Sequence, residues 1–291
     1  MIAALLSLAA AATFAASALF IDATAGRVGF LQLARWQMGI AFVLTAAASL
    51  ALGGWRTVEP WQFGALAASS AAGIMLASTT YIAAIQVAGP RVTAVLFSLA
   101  APFAVLLGWL VLGETIGPVQ GAGVALVLAG ILLAVLAPDR SATPPSRRNL
   151  WLGVVLGIVT SAGQATGSLF ARPAMQAGVE PFTAMAIRSG LGAAFFLCLM
   201  ALPLARAAAL PARRDLRLVG ASAFVGMFLG MSLLMAALAR GDVGIVTTLS
   251  STTPILILPM IWATTGRAPA SLAWAGAAGA VAGTALLTLA G

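Results

Sequence analysis

Long apolar stretches separated by short polar breaks run the length of the chain. A helix needs about 20 mostly apolar residues to cross a bilayer, and breaks rich in charge, proline or glycine separate ten such stretches. The predicted helices lie near residues 2–21, 30–52, 61–86, 92–112, 118–137, 150–171, 182–203, 216–238, 244–264 and 270–290. Backbone groups in lipid must be hydrogen-bonded internally, and these runs are too long for barrel strands. The pattern therefore predicts an all-α, polytopic membrane protein.

The second half of the chain repeats the first in weakened form. Residues 84–130 return as residues 236–283, so that Pro102 aligns with Pro254 and Ser98 with Ser250. A nearly constant offset of about 152 residues indicates a tandem duplication. Because each copy holds an odd number of helices, the second copy must enter the membrane from the opposite side. The ten transmembrane helices should therefore form a 5+5 inverted repeat, an arrangement found in many secondary transporters.

A polar, proline-rich segment divides the two copies. It reads PDRSATPPSRRN from Pro138 to Asn149, and such composition is typical of loops. We therefore predict a first five-helix repeat over residues 1–138, a linker over 139–149 and a second five-helix repeat over 150–291. Inverted repeats usually place the substrate site between the halves, near the middle of the membrane.

Composition and charge narrow the partners to the lipid bilayer and a small-molecule substrate. Hydrophobic residues make up 62% of the chain and charged residues only 8%, against about 25% charged in soluble domains. The net charge of +8 comes from arginines scattered through short loops, which argues against a nucleic-acid partner. The odd-numbered connections between helices carry ten arginines, whereas the other four connections carry three. The positive-inside rule then places both termini outside the cytoplasm.

The titratable residues exclude most enzyme chemistry. The chain has no histidine and one cysteine, Cys198, so it lacks the residues of a Ser-His relay, a His-ligated zinc site or an internal disulfide. All seven acidic residues fall at predicted helix ends or in loops. We predict that the protein is not an enzyme and has no cofactor and no metal. Proton-driven transporters commonly hold an acid or histidine within the membrane, so facilitated diffusion or exchange is favoured.

Two arginines lie inside predicted helices. Arg35 in LARWQMG and Arg188 in AIRSGLG occupy the second helix of each copy and are related by the repeat to within a residue. One interpretation is a charge that binds an anionic group or holds a gate. The favoured alternative is a side chain that snorkels to the interface or pairs with a carbonyl at a helix end.

Prolines inside the fourth and ninth helices mark a second candidate feature. Pro102 and Pro254 each remove a backbone hydrogen bond and displace the carbonyl four residues earlier, at Ser98 and Ser250. Freed acceptors at membrane depth are tolerated in cavity walls. Hydroxyl groups crowd the second proline and suit a polar solute, although serine and threonine also serve as packing groups between helices. They are Thr247, Thr248, Ser250, Ser251, Thr252 and Thr253.

Three further helices carry candidate lining groups. The third helix has Ser78, Thr79, Thr80 and the only tyrosine, Tyr81; the sixth has Gln164, Thr166 and Ser168; the eighth has Met227, Met231 and Met235. A cavity that mixes methionine, aromatic and hydroxyl groups would suit a solute with an apolar side chain. A methionine stripe at helical spacing is, however, more often plain core packing.

The segment from Val92 to Gly130, its weaker echo in the second half and LARWQMG around Arg35 resemble the drug/metabolite transporter superfamily, EamA type. The match rests on Pro102, the Gly113-Glu114 pair, Gln120 and Gly123, and it extends over essentially the whole chain. The second copy departs from the pattern, because Arg267 follows Gly266 where the glutamate would be.

The resemblance implies a bacterial inner-membrane exporter of small metabolites. Amino acids, including aromatic ones and methionine, are substrates of such proteins, and the YddG group of aromatic amino-acid exporters is a similar case. Transport would follow alternating access about a cavity lined by helices 3, 4, 8 and 9 with parts of 1 and 6. The alternatives are efflux of multiple or cationic drugs, which would call for a buried acid, and a lipid-headgroup flippase, which a lateral opening would favour.

The sequence thus assigns two sets of residues and leaves the oligomeric state open. The predicted substrate-binding residues are Thr79, Tyr81, Phe97, Ser98, Pro102, Gln164, Ser168, Thr248, Ser251, Thr252 and Pro254. The predicted gating or structural residues are Arg35, Arg188 and Glu114.

Overall fold

The computed structural model describes residues 1–24, 27–136, 147–201, 211–265 and 270–289. The regular elements within these ranges are all helical, which confirms the predicted all-α fold. Seven of the described helices are long and apolar enough to cross a membrane. Three shorter apolar helices cover Ala100–Leu112, Pro118–Leu133 and Ser271–Gly283. In chain order the helices are α1 (Ile2–Asp22), α2 (Phe30–Leu52), α3 (60–97), α4 (Ala100–Leu112), α5 (Pro118–Leu136), α6 (Arg147–Gln176), α7 (Pro181–Cys198), α8 (Arg213–Leu238), α9 (Val243–Ser250 with Thr253–Thr265) and α10 (Ser271–Leu289).

The main departure from the predicted boundaries lies between the third and fourth helices. The sequence predicted a connection near residues 87–91, but α3 continues as helix to Phe97 and the chain turns at Ser98 and Leu99. A membrane helix tolerates an internal proline where neighbouring helices satisfy the freed backbone groups. Here the second half of α3 packs along α6.

A helix begins before the C-terminal end of the predicted linker. Residues 138–146 lie outside the described residues, and α6 already begins at Arg147. The last three residues of the predicted linker, Arg147 to Asn149, are therefore helical.

Two irregularities of the helices recur at the repeat offset. A π-helical segment begins at Ala71 in α3 and another at Ala223 in α8, 152 residues apart. Turns interrupt the helical path at Ser98–Leu99 and again at Ser251–Thr252, 153 residues apart. Because π-helices are rare and often accompany functional sites, their shared position shows that the two halves follow one backbone plan.

The two copies interlock rather than sit side by side. Helix α1 of the first copy packs on α8 of the second, and α6 packs on α3 in the matching way. The pairs α2 with α7, α4 with α9 and α5 with α10 also cross between copies. Glycine permits close approach, since a methyl group on Gly167 would lie 2.7 Å from the Cα of Gly73. The crossings of α1 with α8 and of α3 with α6 therefore bring both π-helical segments to the centre.

Candidate functional site: a cavity between the two repeats

A cavity of about 240 Å³ lies between the copies, around the two π-helical segments. Helices α1 to α4 of the first copy and α6, α8 and α9 of the second line it. Ile21 in the last turn of α1 and Gln37 in the second turn of α2 both belong to the lining, so the cavity extends toward the α1–α2 connection. The sequence predicted all of these helices except α2.

The wall of the cavity is mostly apolar, with a few polar groups. Its aromatic side chains are Phe14, Tyr81 and Phe97, and its methionines are Met38, Met227 and Met231. The rings of Tyr81 and Phe97 meet edge to face with their centroids 5.4 Å apart. The polar lining residues are Ser17, Gln37, Ser78, Thr160, Gln164, Ser168, Thr247, Ser250, Ser251 and Thr253.

Five of the predicted substrate-binding residues line this cavity. They are Tyr81, Phe97, Gln164, Ser168 and Ser251. The three methionines of α8 differ in their surroundings. Met227 and Met231 line the cavity, whereas Met235 is fully buried in the core.

The structure places five others away from the lining. The hydroxyl of Thr79 donates to the carbonyl of Met75 at 2.5 Å, that of Thr248 to Gly244 at 2.7 Å, and that of Thr252 to Leu249 at 2.7 Å. These bonds to the preceding turn hold each side chain against its own helix. Ser98 is buried at the turn before α4, Pro102 lies in α4, and neither lines the cavity. The side chain of Pro254 is outside the described part of the chain.

The carbonyls that the prolines were expected to free are hydrogen-bonded. The carbonyl of Ser98 accepts from the backbone N–H of Ala101 at 3.2 Å, and that of Ser250 accepts from the Thr253 hydroxyl at 3.0 Å. The expectation of free acceptors is therefore wrong, because a tighter turn and a side-chain donor replace the lost helical bond.

The same turns nevertheless shape the cavity. Phe97 and Ala100 flank the first turn, Ser250 and Thr253 flank the second, and all four residues line the cavity. The prolines thus correctly indicated two segments beside the cavity. They shape it through the turns in the backbone and not through free carbonyls.

Sequence reasoning named no lining residue on α1 and missed the contributions of α2 and of the π-helical glycines. Phe14, Ser17 and Gln37 line the cavity, as do Gly73 and Gly226. Gln37 carried a signal, since it is an amide two residues from Arg35 inside an apolar helix, and it donates to the Ser222 hydroxyl at 3.2 Å. The glycines gave no signal of their own.

Ionic contacts lie beyond the end of the cavity farthest from the α1–α2 connection. Arg172 in α6 is 5% exposed, and its Nε donates to Oε1 of Glu114 at 2.9 Å while its Nη2 donates to Oδ1 of Asp242 at 3.1 Å. Nη1 of Arg172 also donates to the carbonyl of Leu238. Glu114 accepts in addition from the backbone N–H of Val243 at 2.9 Å. We call Glu114, Arg172 and Asp242 the ion cluster.

The ion cluster lies directly behind the cavity and joins the two copies. Ser168 and Leu234 line the cavity, and Arg172 and Leu238 follow them one turn later in the same helices. Glu114 belongs to the first copy, whereas Arg172 belongs to the second. Of the three predicted gating or structural residues, Glu114 is the one that the structure places in this contact.

A second ion pair lies at the opposite end of the molecule. Nη2 of Arg27 lies 2.8 Å from Oδ1 of Asp215, with the Arg27 side chain 48% exposed. The hydrogen bond to Asp215 raises the pKa of the Arg27 guanidinium above its usual value. This pair connects the loop after α1 to the first turn of α8, near the end toward which the cavity extends.

The two arginines inside the helices differ in burial. Arg188 is 1% exposed, and its Nη1 lies 3.4 Å from the sulfur of Met235. Snorkelling is therefore wrong as an interpretation of Arg188, because the guanidinium lies within the core. Arg35 is half-buried.

A larger groove of about 660 Å³ runs along the outer surface between α2, α3 and α7. Exposed apolar side chains such as Phe42, Leu50 and Phe63 line it. In a membrane protein such a surface faces lipid, so we assign the functional site to the cavity between the copies.

Comparison with known proteins agrees with this architecture. The model of the EamA-like transporter family matches residues 1–136 and again 151–289. A solved crystal structure superposes with a TM-score of 0.84 at 21% sequence identity, covering 99% of this chain and 96% of that one. No protein in a comparison with curated sequences matched the chain. Because the family model covers nearly all of both copies, this multi-pass membrane protein belongs to the EamA-like transporter family.

Proposed function

We propose that the protein exports amino acids with aromatic or methionine-like side chains by alternating access, without coupling to protons. The observation that carries the proposal is the cavity between the interlocked copies, which combines an aromatic pair, methionines and hydroxyl groups. Family membership supports transport of a small solute, and the lining supports this class of solute.

The size and charge of the cavity favour a metabolite over a cationic drug. Its volume of about 240 Å³ is below the roughly 300–1,000 Å³ of pockets for drug-sized ligands. The described lining residues include no aspartate or glutamate, the groups that would compensate a buried cation. A neutral, zwitterionic or anionic solute fits this wall better than a cation does.

The aromatic pair supports a preference for aromatic side chains. Tyr81 and Phe97 already stack edge to face, and a third ring can join such a pair with favourable quadrupole geometry. Met227 and Met231 lie on the opposite copy and offer polarizable sulfur atoms to a ring or thioether.

The ion cluster supplies the closed gate of the mechanism. It bridges the copies behind Ser168 and Leu234, so its separation would open the cavity at that end. The positive-inside rule assigns the α1–α2 connection to the cytoplasm. The present conformation then admits solute from the cytoplasm, and rocking of the copies would release it on the other side.

The direct test is uptake of labelled amino acids into proteoliposomes, with and without preloaded substrate and an imposed pH gradient. We expect saturable uptake of phenylalanine or methionine that a pH gradient leaves unchanged. Replacement of Phe97 by leucine should raise the KM for phenylalanine, because the edge-to-face partner is lost.

The matched control for that variant is Phe170→Leu, since Phe170 lies in α6, is exposed and does not line the cavity. Equal KM values for Phe97→Leu and Phe170→Leu would contradict the assignment of the aromatic pair. Folded wild-type protein that transports no amino acid would refute the proposed substrate class.

A further inference from the structure

Arg188 is a buried cation with too few hydrogen-bond acceptors. It lies two turns into α7 and is 1% exposed. Its Nε has no hydrogen-bond partner among the described residues, and its Nη1 reaches only the sulfur of Met235 at 3.4 Å. A thioether is a weak acceptor, whereas a guanidinium has five donors. Among the described residues, Arg188 therefore has no partner at Nε and only a weak acceptor at Nη1.

Arg172 shows how the same chain stabilises a buried arginine elsewhere. Its three nitrogens donate to two carboxylates and a backbone carbonyl. By contrast, no carboxylate oxygen of the described residues lies within 4.0 Å of a nitrogen of the Arg188 side chain. A charge that is kept within the membrane without a counter-ion is costly and marks a functional site by default.

The guanidinium of Arg188 lies immediately behind the wall of the cavity. A methyl group placed on Gly73 would be 3.0 Å from Nη2 of Arg188 and 3.9 Å from Oε1 of Gln164. Gly73 and Gln164 both line the cavity, and Gly73 belongs to the π-helical segment of α3. The guanidinium of Arg188 thus lies next to a glycine of the cavity wall.

The surroundings favour an anionic partner of planar shape. The cavity wall includes the buried apolar side chains of Met38, Ile74 and Leu234. Charge-assisted hydrogen bonds are strong in such a setting, and the guanidinium fork matches a carboxylate bidentately. The amide of Gln164 is close enough to supply a second group to the same ligand.

We propose that Arg188 binds the carboxylate of the transported solute, which approaches beside Gly73 and Gln164. This assignment rests on the proposed function, because it names the part of the solute that the cavity recognises. Among the described residues Arg188 has no counter-ion. The carboxylate of the bound solute then supplies one.

The test uses four probes that separate the two charged groups of an amino acid. They are phenylalanine, phenylalaninamide, 3-phenylpropionate and phenethylamine, each titrated against the purified full-length protein by calorimetry. We expect phenylalanine and 3-phenylpropionate to bind at least about tenfold more tightly than phenylalaninamide and phenethylamine, which have no carboxylate. A charge-assisted hydrogen bond between Arg188 and the carboxylate implies a difference of this size.

Variants at Arg188 and Gly73 make the test more specific. Arg188→Gln should remove the preference for the carboxylate while leaving the affinity for phenylalaninamide nearly unchanged, whereas Arg188→Lys should keep part of the preference. Gly73→Ala retains the charge but places a methyl group against Nη2, and it should weaken carboxylate binding selectively. Arg240→Gln is the control, since Arg240 is exposed and bonds to its own helix.

The outcomes separate this inference from the proposed function. Binding of phenylalanine with no loss of carboxylate preference in folded Arg188→Gln or Gly73→Ala overturns the role of Arg188 but leaves amino-acid export intact. Binding of 3-phenylpropionate without phenylalanine, abolished by Arg188→Gln, supports the role of Arg188 and contradicts amino-acid export. If folded wild-type protein binds none of the four probes, both proposals fail.

Discussion

At the scale of single residues, the decisive property of each polar side chain in this membrane protein is where its hydrogen bond goes. Thr248 and Thr252 donate to their own helix, and neither lines the cavity. Ser17 and Ser70 instead donate across the repeat boundary, to the carbonyls of Ser222 and Arg188. All four residues carry a hydroxyl group, so only the tertiary structure shows that Ser17 alone among them lines the cavity.

The ion cluster gives a residue-scale prediction about stability. Arg172→Met leaves Glu114 and Asp242 without their cation, and breaking a buried ion pair costs about 3–5 kcal/mol. We expect a clear drop in the Tm of the detergent-solubilised protein, measured by the intrinsic fluorescence of its tryptophans.

Arg27→Met is the matched control, because its pair with Asp215 is half-exposed and exposed pairs contribute little. Its Tm should fall much less than that of Arg172→Met. Equal changes in Tm for the two variants would show that the ion cluster is not a stabilising contact.

At the scale of helices, close crossings between the copies rely on glycine. Gly130 in α5 faces α10 so closely that a methyl group would lie 2.5 Å from the backbone nitrogen of Ala280 and 2.5 Å from the carbonyl of Gly276. Backbone atoms cannot move aside as a flexible side chain can. Small residues at such positions allow close packing where lipid provides no hydrophobic driving force.

The α5–α10 crossing yields a prediction at this scale. Gly130→Ala should push the two helices apart and destabilise the protein by about 1–3 kcal/mol through overpacking. Gly121→Ala in the same helix meets nothing within 4 Å and should leave the Tm unchanged or slightly raised, because alanine favours helix. Thermal unfolding of both variants side by side is the measurement, and a Gly130→Ala protein as stable as Gly121→Ala would contradict the crossing.

At the scale of the whole molecule, a transporter must expose its site to one side at a time. The cavity extends toward the α1–α2 connection, and at the other end the ion cluster joins the first copy to the second. Helices α1 and α6 each pack on a helix of the opposite copy, so motion of one copy against the other changes both ends together.

Labelling of introduced cysteines tests this asymmetry. The native cysteine, Cys198, is exposed and is first replaced by alanine. Ser78→Cys in the cavity wall should then react with a membrane-impermeant maleimide only from the side of the α1–α2 connection, and bound substrate should protect it. Adding Arg172→Met should make the same cysteine reactive from the opposite side, because the gate is lost.

Arg240→Cys serves as the reference for the opposite side, since Arg240 is exposed in the connection between α8 and α9. Reaction of Ser78→Cys from both sides in the otherwise intact protein would mean that the ion cluster does not close the cavity.

Hydropathy, spacing and the repeat were enough to predict the all-α fold, because a lipid environment makes the length and apolarity of each segment decisive. The resemblance of the motifs indicated the family and every helix around the cavity except α2. The same local information cannot report how far α3 extends, which hydroxyls turn inward or which arginine finds a carboxylate. Glu114 and Arg172, or Gly73 and Arg188, meet only where helices of opposite copies cross. The tertiary structure alone decided the site, since burial and pairing of polar groups depend on contacts between residues far apart in the chain.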